Sequence, residues 1–221
     1  LAAITDAGVT INRTYRSLPF LALRVSPTAL ALIEASPLVL GIEEDVPISL
    51  IDPSPDDANG HQIRDPSPPP DRFSLDGTVN LIGASTAWSW GSTGSGWYVA
   101  VLDTGIRRTH QFFTGKTIVE ACFARGSYGV AAAGDCPNGL SSMFGPGSAA
   151  IYPSTYSGYD HGTHVSGIAT GNYGSLAGVA KKADIIAIQV FSKSGSNSLS
   201  SWSSDTLAAL DFLYGVRGLY Q

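Results

Sequence analysis

The sequence predicts an α/β fold: a mostly parallel sheet flanked by helices, preceded by a small α+β domain. Three observations predict it. Residues 97–102 form an apolar run that ends in Asp103-Thr104-Gly105, the pattern of a strand buried on both faces and closed by a tight turn. Residues 164–170, 184–190 and 205–214 then read as helix, strand and helix, and such alternation builds a parallel sheet covered by helices. The first fifty residues instead carry short strands and one short helix, and a proline-rich stretch separates them from the rest.

Taken in order, residues 10–15 and 20–25 read as strands joined by a turn at Ser17-Leu18-Pro19. Residues 28–35 read as a helix opened by Ser26-Pro27 and closed before Pro37. Residues 39–44 read as another strand. Residues 52–72 hold six prolines (Pro53, Pro55, Pro66, Pro68, Pro69 and Pro70) together with Asp52, Asp56, Asp57, Asp65 and Asp71. They bury too little apolar area to offset their ordering entropy, so they read as a linker open to proteolysis. The domains are therefore 1–51, a linker at 52–72, and 73–221. In the last, Gly171 follows the helix at 164–170. The helix at 205–214 presents Leu207, Leu210, Leu213 and Tyr214 at helical spacing and stops at Gly215. Residues 122–157 are rich in Gly and Ser and read as long surface loops.

Composition narrows the function. Hydrophobic residues make up 43%, enough for a core, whereas charged residues make up 14%, well below the roughly 25% of an average globular protein. The surface must be covered largely by Ser, Thr, Gly and Asn, as in many secreted proteins. The net charge of -5 and the lack of a basic cluster argue against nucleic acid. No apolar run approaches the roughly 18 residues that a membrane span needs. The two cysteines, Cys122 and Cys136, would close a short loop if bonded and would imply an oxidising compartment; the alternative is two free thiols. No third cysteine or nearby histidine completes a metal site with them.

Two segments carry chemistry. Asp103 stands at the carboxyl end of a predicted buried strand, where reactive groups gather in open parallel sheets. A carboxylate there can accept a hydrogen bond from an imidazole, fixing its tautomer and stabilising the imidazolium formed on proton transfer. His161 stands where a loop turns into a helix, in Asp160-His161-Gly162-Thr163-His164-Val165-Ser166-Gly167. Gly162 and Thr163 allow close packing there, so His161 can project toward the strand ends. A metal pair formed by His161 and His164 is the rival reading, and no further ligand cluster supports it. His164 is expected to pack inside; His110 and His61 are expected to be structural or solvated.

These segments resemble the histidine and aspartate motifs of the subtilisin-like serine proteases (peptidase family S8), in the chain order aspartate then histidine. Residues 176–190 resemble the strand that follows the histidine helix in that family, and Leu207-Ala-Ala-Leu-Asp-Phe-Leu resembles the next helix. Residues 24–45 are similar to the last part of an inhibitor I9-type propeptide, a small ferredoxin-like α+β domain. The resemblance implies a secreted serine endopeptidase precursor, acting on polypeptides as a monomer. In it, Asp103 orients His161 and His161 takes the proton of a serine. It implies no cofactor for catalysis and no nucleic-acid or membrane partner. It also implies that the propeptide inhibits its own enzyme, laying a tail from Asp45 to about Asp52 through the substrate cleft.

The sequence departs from the family in several places. No Gly-Thr-Ser-x-Ala occurs, and the chain ends 60 residues after His161, whereas subtilisin places its serine roughly 150 residues after its histidine. Ser175 and Ser196 follow glycines in loop-like segments only. The nucleophile and the oxyanion asparagine are therefore expected beyond Gln221, and the 221-residue chain is expected to be inactive. Likewise, Leu1-Ala2-Ala3-Ile4 looks like the end of a helix whose preceding strand is missing. Propeptide cleavage is expected between Ile51 and Phe73. The spacing of 58 residues between Asp103 and His161 exceeds that of compact members, and the extra length carries the cysteines, like a disulfide-pinned insertion. The family allows structural calcium, but residues 170–180, where a calcium loop often sits, contain no carboxylate. Ser194-Gly195-Ser196-Asn197 either flanks the substrate backbone or forms a solvated loop.

Overall fold

The structure, a computed structural model, describes residues 8–50, 75–126 and 134–220. The expectations for residues 1–4, for the linker at 52–72 and for His61 lie outside the described residues. In the first unit, β1 (Val9–Thr14) and β2 (Leu21–Val25) form an antiparallel hairpin. α1 (Pro27–Glu34) follows. The Ser26 hydroxyl accepts the Ala29 amide at 3.1 Å, and Pro27 occupies the first turn, where no amide is needed. The strand expected at 39–44 does not form. Leu38 and Leu40 stand almost fully exposed, and among the described residues no strand pairs with this segment. An extended segment forms later, as β3 (Pro47–Ser49), where a partner strand is met.

The second unit opens with two short helices, α2 (Leu75–Leu81) and α3 (Ala84–Ser89). The elements that position the site follow: β4 (Tyr98–Asp103), β5 (Ile118–Phe123), β6 (Ser142–Phe144) and α4 (His161–Thr170). A small hairpin, β7 (Asn172–Tyr173) and β8 (Leu176–Ala177), leads into β9 (Asp184–Gln189). Last come β10 (Phe191–Ser194), β11 (Ser198–Trp202) and α5 (Ser203–Val216). The main sheet has the order β4-β9-β5-β6, with β4, β9 and β5 parallel and β6 antiparallel at one edge. This is the α/β parallel sheet with flanking helices that the alternation predicts.

β9 is buried on both faces, and its alternation sorts the core. Ile186 and Ile188 join Phe123, Ala208 and Ala209 on one face, while Ile185 and Ala187 join Ile106, Phe113 and Ala149 on the other. Two helical details differ from expectation. α5 runs through Gly215, and it buries Ser204, Asp205, Ala208 and Ala209 rather than the leucine stripe; Leu210 and Tyr214 are exposed. Small side chains on that face let the helix lie close against β5 and β11. The described residues of 122–157 are also less loop-like than their composition implies: Cys122 lies within β5, Met143 lies within β6, and Ser148, Ala149 and Tyr152 are buried. Cys122 and Cys136 form a disulfide with a Cα–Cα distance of 5.8 Å, both half-cystines buried.

Polar contacts join the two units. The Asp211 carboxylate accepts the Arg16 and Ser17 amides at 2.8 and 2.7 Å, and Asp45 accepts the Ser204 amide at 3.0 Å at the start of α5. The Tyr15 hydroxyl donates to the Ser204 carbonyl at 3.0 Å. Arg13 of β1 pairs with Asp205, which is wholly buried. Burial pushes the Asp205 carboxyl up to about 6 from 3.8, against the opposing pull of Arg13 and Arg125.

The folded chain therefore holds the Asp205 proton more tightly than the unfolded chain does. The penalty for its charged form is absent below pH 3.8 and complete above about pH 6, where it reaches about 3 kcal/mol. Stability from this group is thus expected to fall as pH rises from 4 to 6. Denaturant titrations at several pH values should show this slope in the native chain and a flatter one in Asp205→Asn; equal slopes would refute it.

Candidate active site

The site forms where the end of β4 meets the start of α4. Asp103 is the last residue of β4, nearly buried, and its carbonyl accepts the Val190 amide at 3.0 Å from the end of the neighbouring strand. Its carboxylate oxygen Oδ1 accepts the Thr104 amide at 2.7 Å, which orients the group. Gly105 then takes φ +109, a conformation that favours glycine, and a side chain there would meet the Ala149 carbonyl at 2.7 Å. Ile106 in turn donates its amide to that carbonyl.

α4 is pulled onto this turn by two threonines. The Thr104 hydroxyl accepts the Gly162 amide at 3.1 Å, satisfying a first-turn donor that the N-cap residue Asp160 leaves unpaired. The Thr163 hydroxyl accepts the Arg107 amide at 2.9 Å. The approach is so close that a Cβ on Gly162 would lie 2.3 Å from the Gly105 carbonyl and 3.0 Å from Cβ of Asp103. Any side chain there would push the helix off the strand end.

That approach brings the two expected residues together. His161 Nδ1 lies 2.9 Å from both carboxylate oxygens of Asp103. The imidazole is about one-third exposed and the carboxylate about one-tenth. With Nδ1 held by the carboxylate, Nε2 is the nitrogen left for chemistry, and the ring is set to accept a proton there and share the resulting charge with Asp103. His164, expected inside, is exposed instead: the buried positions of α4 are Gly162, Ser166 and Thr170, and His164 falls off that face. His110 is structural, as expected; its Nδ1 accepts the Phe112 amide and its ring lies against Phe112 and Phe113. Among the described residues no group of three or more His, Cys, Asp or Glu side chains is arranged to hold a metal ion.

A cavity of about 130 Å³ opens beside His161, with Leu50, Ser157, Gly158 and Leu199 in its walls. One side is built from the first unit. β3 pairs antiparallel with β11, with Ser49 opposite Ser200 and Pro47 opposite Trp202, in a three-stranded sheet β10-β11-β3. Leu50 follows directly and packs so tightly on Gly158 that a Cβ there would lie 2.3 Å from Leu50 Cδ1. Residues 194–197 prove to be the turn of the β10–β11 hairpin, anchored by the Ser157 amide donating to the Asn197 carbonyl at 2.8 Å. The strand that takes an extended partner is β11, which sequence reasoning did not single out; its run of serines gives little pattern to find it by.

Residues 94–212 match the family model of the Subtilase family. The chain belongs to the subtilase family. An alkaline protease of Shouchella clausii is 30% identical over 198 residues, covering 89% of this chain and 40% of that protein. Subtilisin Savinase of Lederbergia lenta is 37% identical over 125 residues, 56% of this chain and 36% of that protein. The minor extracellular protease Epr of Bacillus subtilis (strain 168) is 25% identical over 201 residues, 90% of this chain and 26% of that protein. Among solved structures, the CspB protease of Clostridium perfringens aligns with a TM-score of 0.44 and 26% identity over 64% of this chain and 31% of that one. This subtilase sequence thus spans about 40% of the length of its alkaline protease relatives.

Gly162→Ala is expected to lower stability by about 1–3 kcal/mol through overpacking and to break the Asp103–His161 contact, seen as loss of the downfield Nδ1 proton resonance. Gly215→Ala, in an open stretch of α5, is expected to be neutral or stabilising by up to about 1 kcal/mol. Equal effects at the two positions would contradict the close-approach account.

Proposed function

We propose that this subtilase is part of the precursor of a secreted serine endopeptidase in which Asp103 and His161 are the orienting acid and the general base. The observation that carries the reading is the pair itself: an imidazole held through Nδ1 by a nearly buried carboxylate, in a residue that lines a cavity. His161 takes the proton of a serine hydroxyl as it attacks a peptide carbonyl, then returns it to the leaving amine. Residues 1–221 supply the acid and the base of this set. Catalysis by this set of groups needs no cofactor. The substrates are polypeptides laid antiparallel along β11.

Residues 1–51 act as the propeptide, and residues 73–221 begin the catalytic domain. The antiparallel pairing of β3 with β11, and the seat of Leu50 against Gly158 beside His161, support a tail that occupies the cleft as a substrate would. Cleavage then falls between Ile51 and Phe73. Secretion is supported by the disulfide, by the low charge content and by the extracellular name of one relative.

Expression of the complete coding sequence tests this. The product is expected to hydrolyse casein, to be blocked by a fluorophosphonate and to resist chelators. Asp103→Asn should lower kcat on the order of 10⁴-fold, the loss typical for the orienting carboxylate of such a triad. A complete product without fluorophosphonate-sensitive hydrolysis would sink the reading and leave binding or inhibition as the role of this fold.

A further inference from the structure

We propose that Arg13, Asp205 and Arg125 form a charged lock by which residues 75–220 select their own front segment, a β-ribbon bulged at Asn12 with an arginine next to the bulge. The inference rests on the proposed propeptide reading only for its consequence; the docking itself requires no catalysis.

The lock begins with a break in the hairpin. Along β1 and β2 the pairing runs Thr10 with Arg24 and Ile11 with Leu23, then jumps to Arg13 with Ala22, so Asn12 is an extra residue. A bulge of this kind bends the strand, leaves a backbone group outside the ladder and re-aims the next side chain. Both effects are used here. The carbonyl of Asn12 accepts a hydrogen bond from the Arg125 guanidinium, and the Arg13 guanidinium pairs with the Asp205 carboxylate while lying over the Phe123 ring at 5.8 Å. The second oxygen of Asp205 accepts the Arg125 amide at 3.0 Å.

The receiving surface includes the residues that flank the disulfide. Arg125 lies three residues after Cys122, and the Gly126 amide donates to the Ser192 hydroxyl at 2.9 Å. Beside Cys136, Asp135 accepts the Lys193 amide at 2.8 Å, tying the other end of the segment to β10. The insertion that lengthens the Asp103–His161 spacing thus gains a purpose: it presents Arg125 to the bulge.

Selectivity follows from burial. Asp205 is wholly enclosed, and the Arg13 side chain is about nine-tenths enclosed. A buried carboxylate that loses a guanidinium partner is penalised far more than an exposed one would be. A front segment without an arginine in this register therefore binds poorly even if its turn and tail still fit. The same surface should accept, in trans, a polypeptide that presents a bulged ribbon with an arginine.

The test uses the 221-residue chain with a specific protease site placed in residues 51–74, so that cleavage leaves two pieces held only by their contacts. The rate of release of the front piece is followed by native mass spectrometry. Arg13→Gln and Asp205→Asn are each expected to speed release by about 100-fold, the effect of removing one partner of a buried charge pair. The double variant is expected to release at least about 10-fold more slowly than the additive product of the singles. Arg125→Gln, which loses the donor to Asn12, should speed release by about 10-fold. Because Arg13 lies on the released piece, its variants leave residues 75–220 unaltered, and Arg13→Lys separates loss of charge from loss of the planar guanidinium that reaches Asp205 Oδ1 over the Phe123 ring. Additive singles, or release within about three-fold of the native rate in Arg13→Gln, would overturn the lock. Neither result bears on whether the complete protein is a protease.

Discussion

The close approach of the first turn of α4 to the end of β4 is the constraint from which the rest of the candidate site follows. It exists because Gly162 has no side chain, because Gly105 turns the chain away at positive φ, and because the Thr104 and Thr163 hydroxyls accept the Gly162 and Arg107 amides across the gap. The Asp103–His161 pair is the chemical product of that packing. Its two members come from elements 58 residues apart, and their alignment follows from hydrogen bonds to the backbone that tie the two elements together. Sites placed on strand ends and helix starts gain precision in this way, since the scaffold removes freedom that a loop would leave.

The second unit and the first meet at two places with different physics. At the cleft, backbone pairing between β3 and β11 requires only an extended partner, so that contact is permissive and suits many sequences. At α5 the contacts are polar and directional: Asp211 on a turn, Asp45 on the helix start, and Arg13 on a buried carboxylate. A permissive groove beside a selective platform lets one surface accept varied extended chains while a second recognises a single partner. The disulfide segment belongs to the selective part, since it carries Arg125 to the platform and Asp135 to β10.

Much of this was legible in the sequence. The Asp-Thr-Gly and His-Gly-Thr motifs marked the pair because each residue type has a local task that no other fills as well: carboxylate, hydroxyl, absent side chain. The buried strands were legible because a parallel sheet covered on both faces needs uninterrupted apolar runs. The strand expected at 39–44 failed for the complementary reason. Its residues suit a strand, but β structure requires a partner, and the partner lies opposite residues 47–49 instead. The leucine stripe of α5 misled in the same manner: periodicity shows that a helix has an apolar face, but the sheet accepted the alanine face because it packs more closely.

By itself the sequence determined the α/β class, the buried strands β4 and β9, the helices α4 and α5, and the two residues, Asp103 and His161, that the fold brings into contact, because these follow from local pattern and from short motifs whose members act within a few residues of one another. Only the tertiary structure decided that His164 faces outward, that β11 is the strand receiving an extended partner, and that Arg13 reaches Asp205 across 192 residues. Contacts of that kind depend on how whole elements stack. A register shift, a bulge at Asn12 or a choice of helix face changes them completely while leaving the local pattern of the sequence unaltered.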